Sequence, residues 1–175
     1  LRERKRRPSK PFAVMMKNEM VAERYCDMTA HQKEVLRGHQ KPIILLQKGY
    51  GYDLAGSVAP DNDRLGVMLP YAPIQLLLFD YPDEFGENCD MQNVDRHSAG
   101  AQSKGRMPEV LVMTSGNESG VPIAKDDADA MEQLGEIADC ILTNSRDIRL
   151  RTDDTVMDFY DDEPYMIRRS RGYAP

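Results

Sequence analysis

The residues best suited to chemistry fall in three clusters. In "RKRRPSKPF", residues 4–12, Lys5, Arg7 and Lys10 surround Pro8 at the mouth of an apolar run. Proline fixes the local backbone, so these cations are expected to be aimed. Arginine offers a forked grip on phosphate, and lysine a compact point charge. In "LVMTSGNESGVPI", residues 111–123, four side chains offer hydrogen bonds: Thr114, Ser115, Asn117 and Ser119. Gly116 and Gly120 would let backbone N–H groups approach a ligand closely. Such a turn between a strand and a helix can form an anion-binding concavity. In the C-terminal "RTDDTVMDFYDDEPYMIRRSRGYAP", Thr155 precedes one strand, and Arg168, Arg169 and Arg171 end or follow the next. A hairpin through "DDEP" would carry Thr155 and the arginines to one end. Each cluster also has a plain structural reading: a solvated basic helix end, a polar turn, and an ordinary hairpin.

Other sites fit the sequence poorly. The turn lacks the spacing of a P-loop and of a G-x-S-x-G nucleophile elbow. His31, His39 and His97 have no metal-ligand spacing, and no metal site is expected. Cys26, Cys89 and Cys140 form no C-x-x-C pair, so neither a zinc site nor a disulfide framework is indicated. No nucleophile, base and orienting acid assemble. The 11 methionines read as core filling.

The elements that must position these clusters follow from apolar period and punctuation. Short strands are expected at 11–16, 41–48, 65–70, 109–113, 138–143, 154–160 and 165–170. A helix capped by Thr29 should end at Gly38; a second should open at Pro73, and a third should occupy "KDDADAMEQLGEI". The strands look buried on both faces. Residues 80–108 are polar and aperiodic and read as a mobile surface insertion. The pattern predicts one α/β domain over 1–175, built on a single twisted mixed sheet flanked by helices. Apolar content of 41% with 30% charged residues supports an ordered globule. No apolar run nears the ~18 residues of a membrane span, and cytoplasmic residence is the expectation. The basic start, "LRERKRR", reads as the last turns of a helix ended by Pro8, hence as a fragment of a longer chain. A net charge of −6 with two basic clusters suggests a local anion site more than a broad nucleic-acid face.

Six pieces, in order, carry a resemblance. They are "LRERKRRPSKPFAVM", "KPIILL", "LGVMLPYAPIQLLL", "LVMTSGNESGVPI", "IADCILTNSRDIRLRTDDTVM" and "IRRSRGYAP". Together they resemble the YrdC-like domain of the HypF carbamoyltransferases of NiFe-hydrogenase maturation. The first and last pieces favour that branch over the threonylcarbamoyl-adenylate synthases of tRNA modification. The resemblance implies a YrdC-like fold with an open basic cleft, here incomplete at its N-terminus. It implies carbamoyl-adenylate formation from ATP, with Mg²⁺, and carbamate derived from carbamoyl phosphate. The carbamoyl group would pass to the C-terminal cysteine of a HypE-like acceptor. Other domains of a longer HypF-like chain would be partners, including the zinc-bearing region absent here. By the same resemblance, Lys5, Arg7 and Lys10 would grip phosphate or carbamate. Thr114, Ser115, Asn117 and Ser119 would face phosphates and the acyl group, and Thr155, Arg168 and Arg171 would form a second phosphate-facing segment. The alternatives are threonylcarbamoyl-adenylate synthesis and a double-stranded RNA-binding module, against which the net charge weighs.

Overall fold

A computed structural model describes residues 1–80 and 107–174. The insertion read at 80–108 therefore lies almost wholly outside the described residues. Strand β1 (Ala13–Met16) is followed by helix α1 (Glu19–Tyr25), a two-residue strand β2 (Cys26–Asp27), and helix α2 (Ala30–Arg37). Strands β3 (Ile43–Lys48) and β4 (Arg64–Met68) lead to the short helix α3 (Pro73–Leu77). After β5 (Val110–Met113) come helix α4 (Asp127–Leu134) and the hairpin of β6 (Val156–Tyr160) and β7 (Glu163–Arg168).

Among the described residues these strands form one seven-stranded mixed sheet, ordered β5-β1-β4-β3-β6-β7, with β2 on β3. β1 runs parallel to β4 and antiparallel to β5. β3 is antiparallel to β4 and parallel to β6. Side-chain alternation then divides the core. Val14, Met16, Ile44, Leu46, Leu65 and Val67 face one layer, where Val21, Ala22 and Leu36 of the first two helices cover them. Met15 and Met68 face the other layer, closed by Phe79 with Ile43, Leu111 and Met113.

Local signals explain most boundaries. Thr29 accepts from the Gln32 amide, and the Gln32 side chain accepts from the Thr29 amide, which is a complete capping box. Pro73 opens α3, and Asp126 caps α4. The hairpin turns on Asp161 and Asp162, both at positive φ (50° and 62°), between the paired Tyr160 and Glu163. Two left-handed residues suit the twist of a two-residue hairpin loop.

Three expectations need correction. The segment 138–143 forms no strand. It follows directly on the end of α4, where the Ala138 amide still bonds to Leu134 O, and Leu142 is 77% exposed with no layer to cover it. Its apolar letters are those of a strand, but no sheet edge receives them. Helix α1, capped by Asn18, was not expected within its stretch. Burial on both faces holds for the middle strands only, because β5 and β7 are edge strands and β7 is largely exposed.

The Thr29 hydroxyl also donates to Asp162 Oδ1 at 2.6 Å, tying α2 to the hairpin turn. Thr29→Ala removes both the cap and this tie. It should lower unfolding free energy by about 1 kcal/mol or somewhat more in urea titration.

Candidate active site

The N-terminal cations are placed by a tight turn. Lys5 N bonds to Leu1 O, Arg6 N to Glu3 O, and Arg7 N to Arg2 O, with Arg6 at φ 48°. This is the bond pattern of a helix end closed through a left-handed residue. Arg2 then pins the turn. Its guanidinium donates to the carbonyls of Ser57 and Arg7, the latter at 2.7 Å, and to that of Lys10 at 3.2 Å. Arg2 and Arg7 each lie 4.7 Å from the ring centroid of buried Phe12, a cation–π contact on both counts.

β1 and β5 are paired Ala13 to Met113, so the turn before β1 meets the turn after β5. Lys5, only 5% exposed, donates through Nζ to Ser115 O at 2.7 Å. Arg7 donates to Thr114 Oγ1 at 3.2 Å, to Lys10 O at 3.0 Å and to Pro11 O. Lys10 is exposed and contributes its carbonyl to both arginines. Burial lowers the pKa of Lys5, with the charge of Arg7 adding to the effect, and burial with Arg2 lowers that of Arg7.

The turn after β5 is itself braced. Ser115 Oγ donates to Asn117 Oδ1 at 2.7 Å, and Asn117 Nδ2 donates to Val121 O at 2.6 Å. The Val121 amide closes on Glu118 O, with Gly120 at φ 85° between them, a conformation that favours glycine. Ser119 is exposed at this tip. Among the described residues, the amides of Gly116, Ser119 and Gly120 have no protein acceptor. They are three donors on one turn, a pattern suited to ligand oxygens.

The third cluster is compact but elsewhere. Thr155 is fully buried; its Oγ1 donates to Arg171 O at 2.9 Å and accepts from Ser170 N at 2.8 Å. Arg168 pairs with Asp153 and donates to Asp154 O at 2.9 Å. Arg171 pairs with Asp154 at 2.9 Å and donates to the carbonyls of Gln40 and Lys41, at 3.0 and 2.7 Å. Its guanidinium carbon lies 3.5 Å from the Tyr71 ring centroid. Strand directions put Thr155 at the C-terminal end of β1 and Thr114 at its N-terminal end. Four strand spacings also separate β5 from β6, roughly 20 Å across. The structure therefore joins Lys5 and Arg7 to Thr114 and Ser115, and joins Thr155 and Arg168 to Arg171, without direct contact between the groups.

A cleft of about 900 Å³ is lined in part by Tyr71, which lies on Arg171, and by Ile123, Ala124, Asn144, Arg146 and Arg149. Ala124 N bonds to Gly116 O at 2.9 Å, so its wall continues into the Ser115 turn. Arg151 donates to Ile123 O at 2.7 Å and pairs with Asp129, fastening the two walls together. Arg146 and Arg149 are exposed and have no acidic partner among the described residues. Sequence reading did not single out Tyr71, Arg146 or Arg149. The three arginines of "NSRDIRLR" are the signal in the sequence that marks this wall.

Fold and site together define an α/β domain with a cleft lined by Arg146, Arg149 and Arg151, next to an amide-rich turn. The Sua5/YciO/YrdC family model, described as telomere recombination, matches residues 1–170, and the chain belongs to this family. Among curated relatives it is 40% identical to carbamoyltransferase HypF2 of Cupriavidus necator and 37% identical to carbamoyltransferase HypF of Rhizobium leguminosarum bv. viciae. In both cases the whole chain aligns to 21% of the relative. The chain thus spans about a fifth of the length of the curated relatives it matches. A structure of full-length HypF in the phosphate- and nucleotide-bound form matches 99% of the chain at 42% identity with a TM-score of 0.79, over 20% of that protein. T. kodakarensis HypF matches 99% of the chain at 34% identity and 0.80, again over 20% of its length. P. abyssi Sua5 is 19% identical over 97% of this chain and 42% of its own, with a TM-score of 0.67, a likeness of fold.

Two outcomes follow. Thr155→Val keeps the volume but leaves the Ser170 amide without its acceptor, and should cost about 1–3 kcal/mol in denaturant titration. For Lys5, the unfolded chain binds more protons than the folded one between the lowered pKa and the ordinary 10.5. Stability from this residue therefore rises with pH through that window and stays constant, at its lower value, below it. Relative to Lys5→Met, wild type should gain stability as pH rises toward 10.5; a pH-independent difference is the contrary result.

Proposed function

We propose that this chain is the adenylate-forming module of a HypF-type carbamoyltransferase. It takes ATP, as its Mg²⁺ complex, and carbamate released from carbamoyl phosphate. A carbamate oxygen attacks the α-phosphorus of ATP, the bond to the β-phosphate oxygen breaks, and pyrophosphate leaves. The carbamoyl group then passes, through other domains of the longer protein, to the C-terminal cysteine of a HypE-like acceptor. The observation that carries this reading is the apposition of Lys5 and Arg7 to the Ser115 turn, beside a cleft with free arginines. Support comes from the HypF relatives, one of which was solved with phosphate and nucleotide bound.

The residues present suit this chemistry. Nucleotidyl transfer needs placement and charge neutralisation more than a protein nucleophile. Unpartnered amides at Gly116, Ser119 and Gly120 can receive phosphate or acyl oxygens. Arg146 and Arg149 can neutralise phosphate. Lys5, Arg7 and Lys10 keep further N–H donors for the reacting end. Mg²⁺ would be carried mainly by the phosphates and water.

An RNA-binding module has less support, since Lys5, Arg7, Arg168 and Arg171 spend donors on the protein's own carbonyls and carboxylates. Threonylcarbamoyl-adenylate synthesis has less support, since the family model spans both branches and the Sua5 neighbour, at 19% identity, is a likeness of fold alone.

In the full-length protein, Ser115→Ala and Lys5→Ala should each abolish carbamate-dependent exchange of labelled pyrophosphate into ATP while a thermal melt still shows a folded protein. Wild-type exchange in both variants would sink the assignment. Exchange supported by threonine plus bicarbonate, and not by carbamate, would move it to the tRNA branch.

A further inference from the structure

We propose that the cleft-facing side of Tyr71 is a stacking platform for the base of the bound nucleotide, an inference that rests on the nucleotide reading above. Three features make the ring a fixed, flat surface. Its main chain lies between Pro70 and the helix start at Pro73, and its amide donates to Gln75 Oε1 at 2.9 Å. Its ring is covered by the Arg171 guanidinium, at 3.5 Å from the centroid. That guanidinium cannot swing away cheaply, because Asp154, Gln40 and Lys41 hold it by three bonds of 2.7–3.0 Å. Yet Tyr71 is 41% exposed and lines the cleft of about 900 Å³. A large aromatic ring with one face occupied by a locked cation and exposed surface toward a polar cleft is suited to a planar π-system. Base–aromatic stacking is sequence-tolerant and strengthens binding without a hydrogen-bond code.

The rest of the cleft is consistent with a base at this point. Arg146 and Arg149 share the cavity and lie available for phosphates. The far wall, at Ala124, continues into the Ser115 turn, where the reacting end would sit. Tyr71 would thus hold the non-reacting end of the substrate, and Arg171 would act through Tyr71 as a positioning residue.

The test uses the full-length protein, calorimetric titration, and two probes: ATP and inorganic tripolyphosphate, which has no base. Tyr71→Ala should weaken ATP binding by about tenfold or more, the range expected for loss of one stacked base. It should leave tripolyphosphate binding unchanged, and Tyr71→Phe and Tyr71→Trp should retain ATP affinity. Unchanged ATP affinity in Tyr71→Ala overturns the inference while leaving the nucleotide reading intact. Equal losses for both probes also overturn it, since they would mark a general structural role. Failure of wild type to bind ATP would remove the nucleotide reading first, and this inference with it.

Discussion

An ammonium taken almost wholly out of water must find compensation or shed its proton. Lys5 meets that constraint with the Ser115 carbonyl, 2.7 Å away and 110 residues along the chain. The contact makes one unit of two turns that the sequence keeps far apart. Around it the other groups fall into place. The left-handed close at Arg6 sets the direction of Lys5. Arg2 clamps the turn to the loop at Ser57, and Phe12 receives both neighbouring guanidiniums.

A second hub of similar design sits at the other end of the sheet. Arg171 gathers the carbonyls of Gln40 and Lys41 and the Asp154 carboxylate, as Arg2 gathers those of Ser57, Arg7 and Lys10. In both hubs the fork of the guanidinium satisfies main-chain acceptors that a loop would otherwise present to water. The division of labour among arginines is then visible. Some hold the walls of the cleft, whereas Arg146 and Arg149 line it without an acidic partner among the described residues.

Much of this was legible in the chain itself. Thr29 and Gln32 announce α2, Pro73 announces α3, and the pair Asp161–Asp162 announces a hairpin. All of these are local signals, acting over a few residues. The false strand at 138–143 shows the limit of such signals, since a strand needs a neighbour's free edge and composition does not supply one. The candidate clusters were legible as clusters, but their partners were not. Nothing near Arg171 says that its guanidinium will lie on Tyr71, 100 positions earlier. Nothing near Lys5 says that it will be buried, and its neighbours Arg4 and Arg6, identical in kind, are exposed. Which cation is consumed by the fold is decided by contacts of long sequence separation.

The pairing of β1 with β5 has a consequence for how the molecule is made. β1 leaves the ribosome well ahead of its antiparallel neighbour, which begins only at Val110. Until that strand emerges, β1 has an open edge, and the Lys5 ammonium stays hydrated. Closing so long a loop is slow, and an open edge is prone to pair with the wrong chain. Charge-rich sequence just ahead of β1 repels a second copy of itself during that interval. The same cations that later line the site would thus guard the nascent chain against aggregation before the site exists.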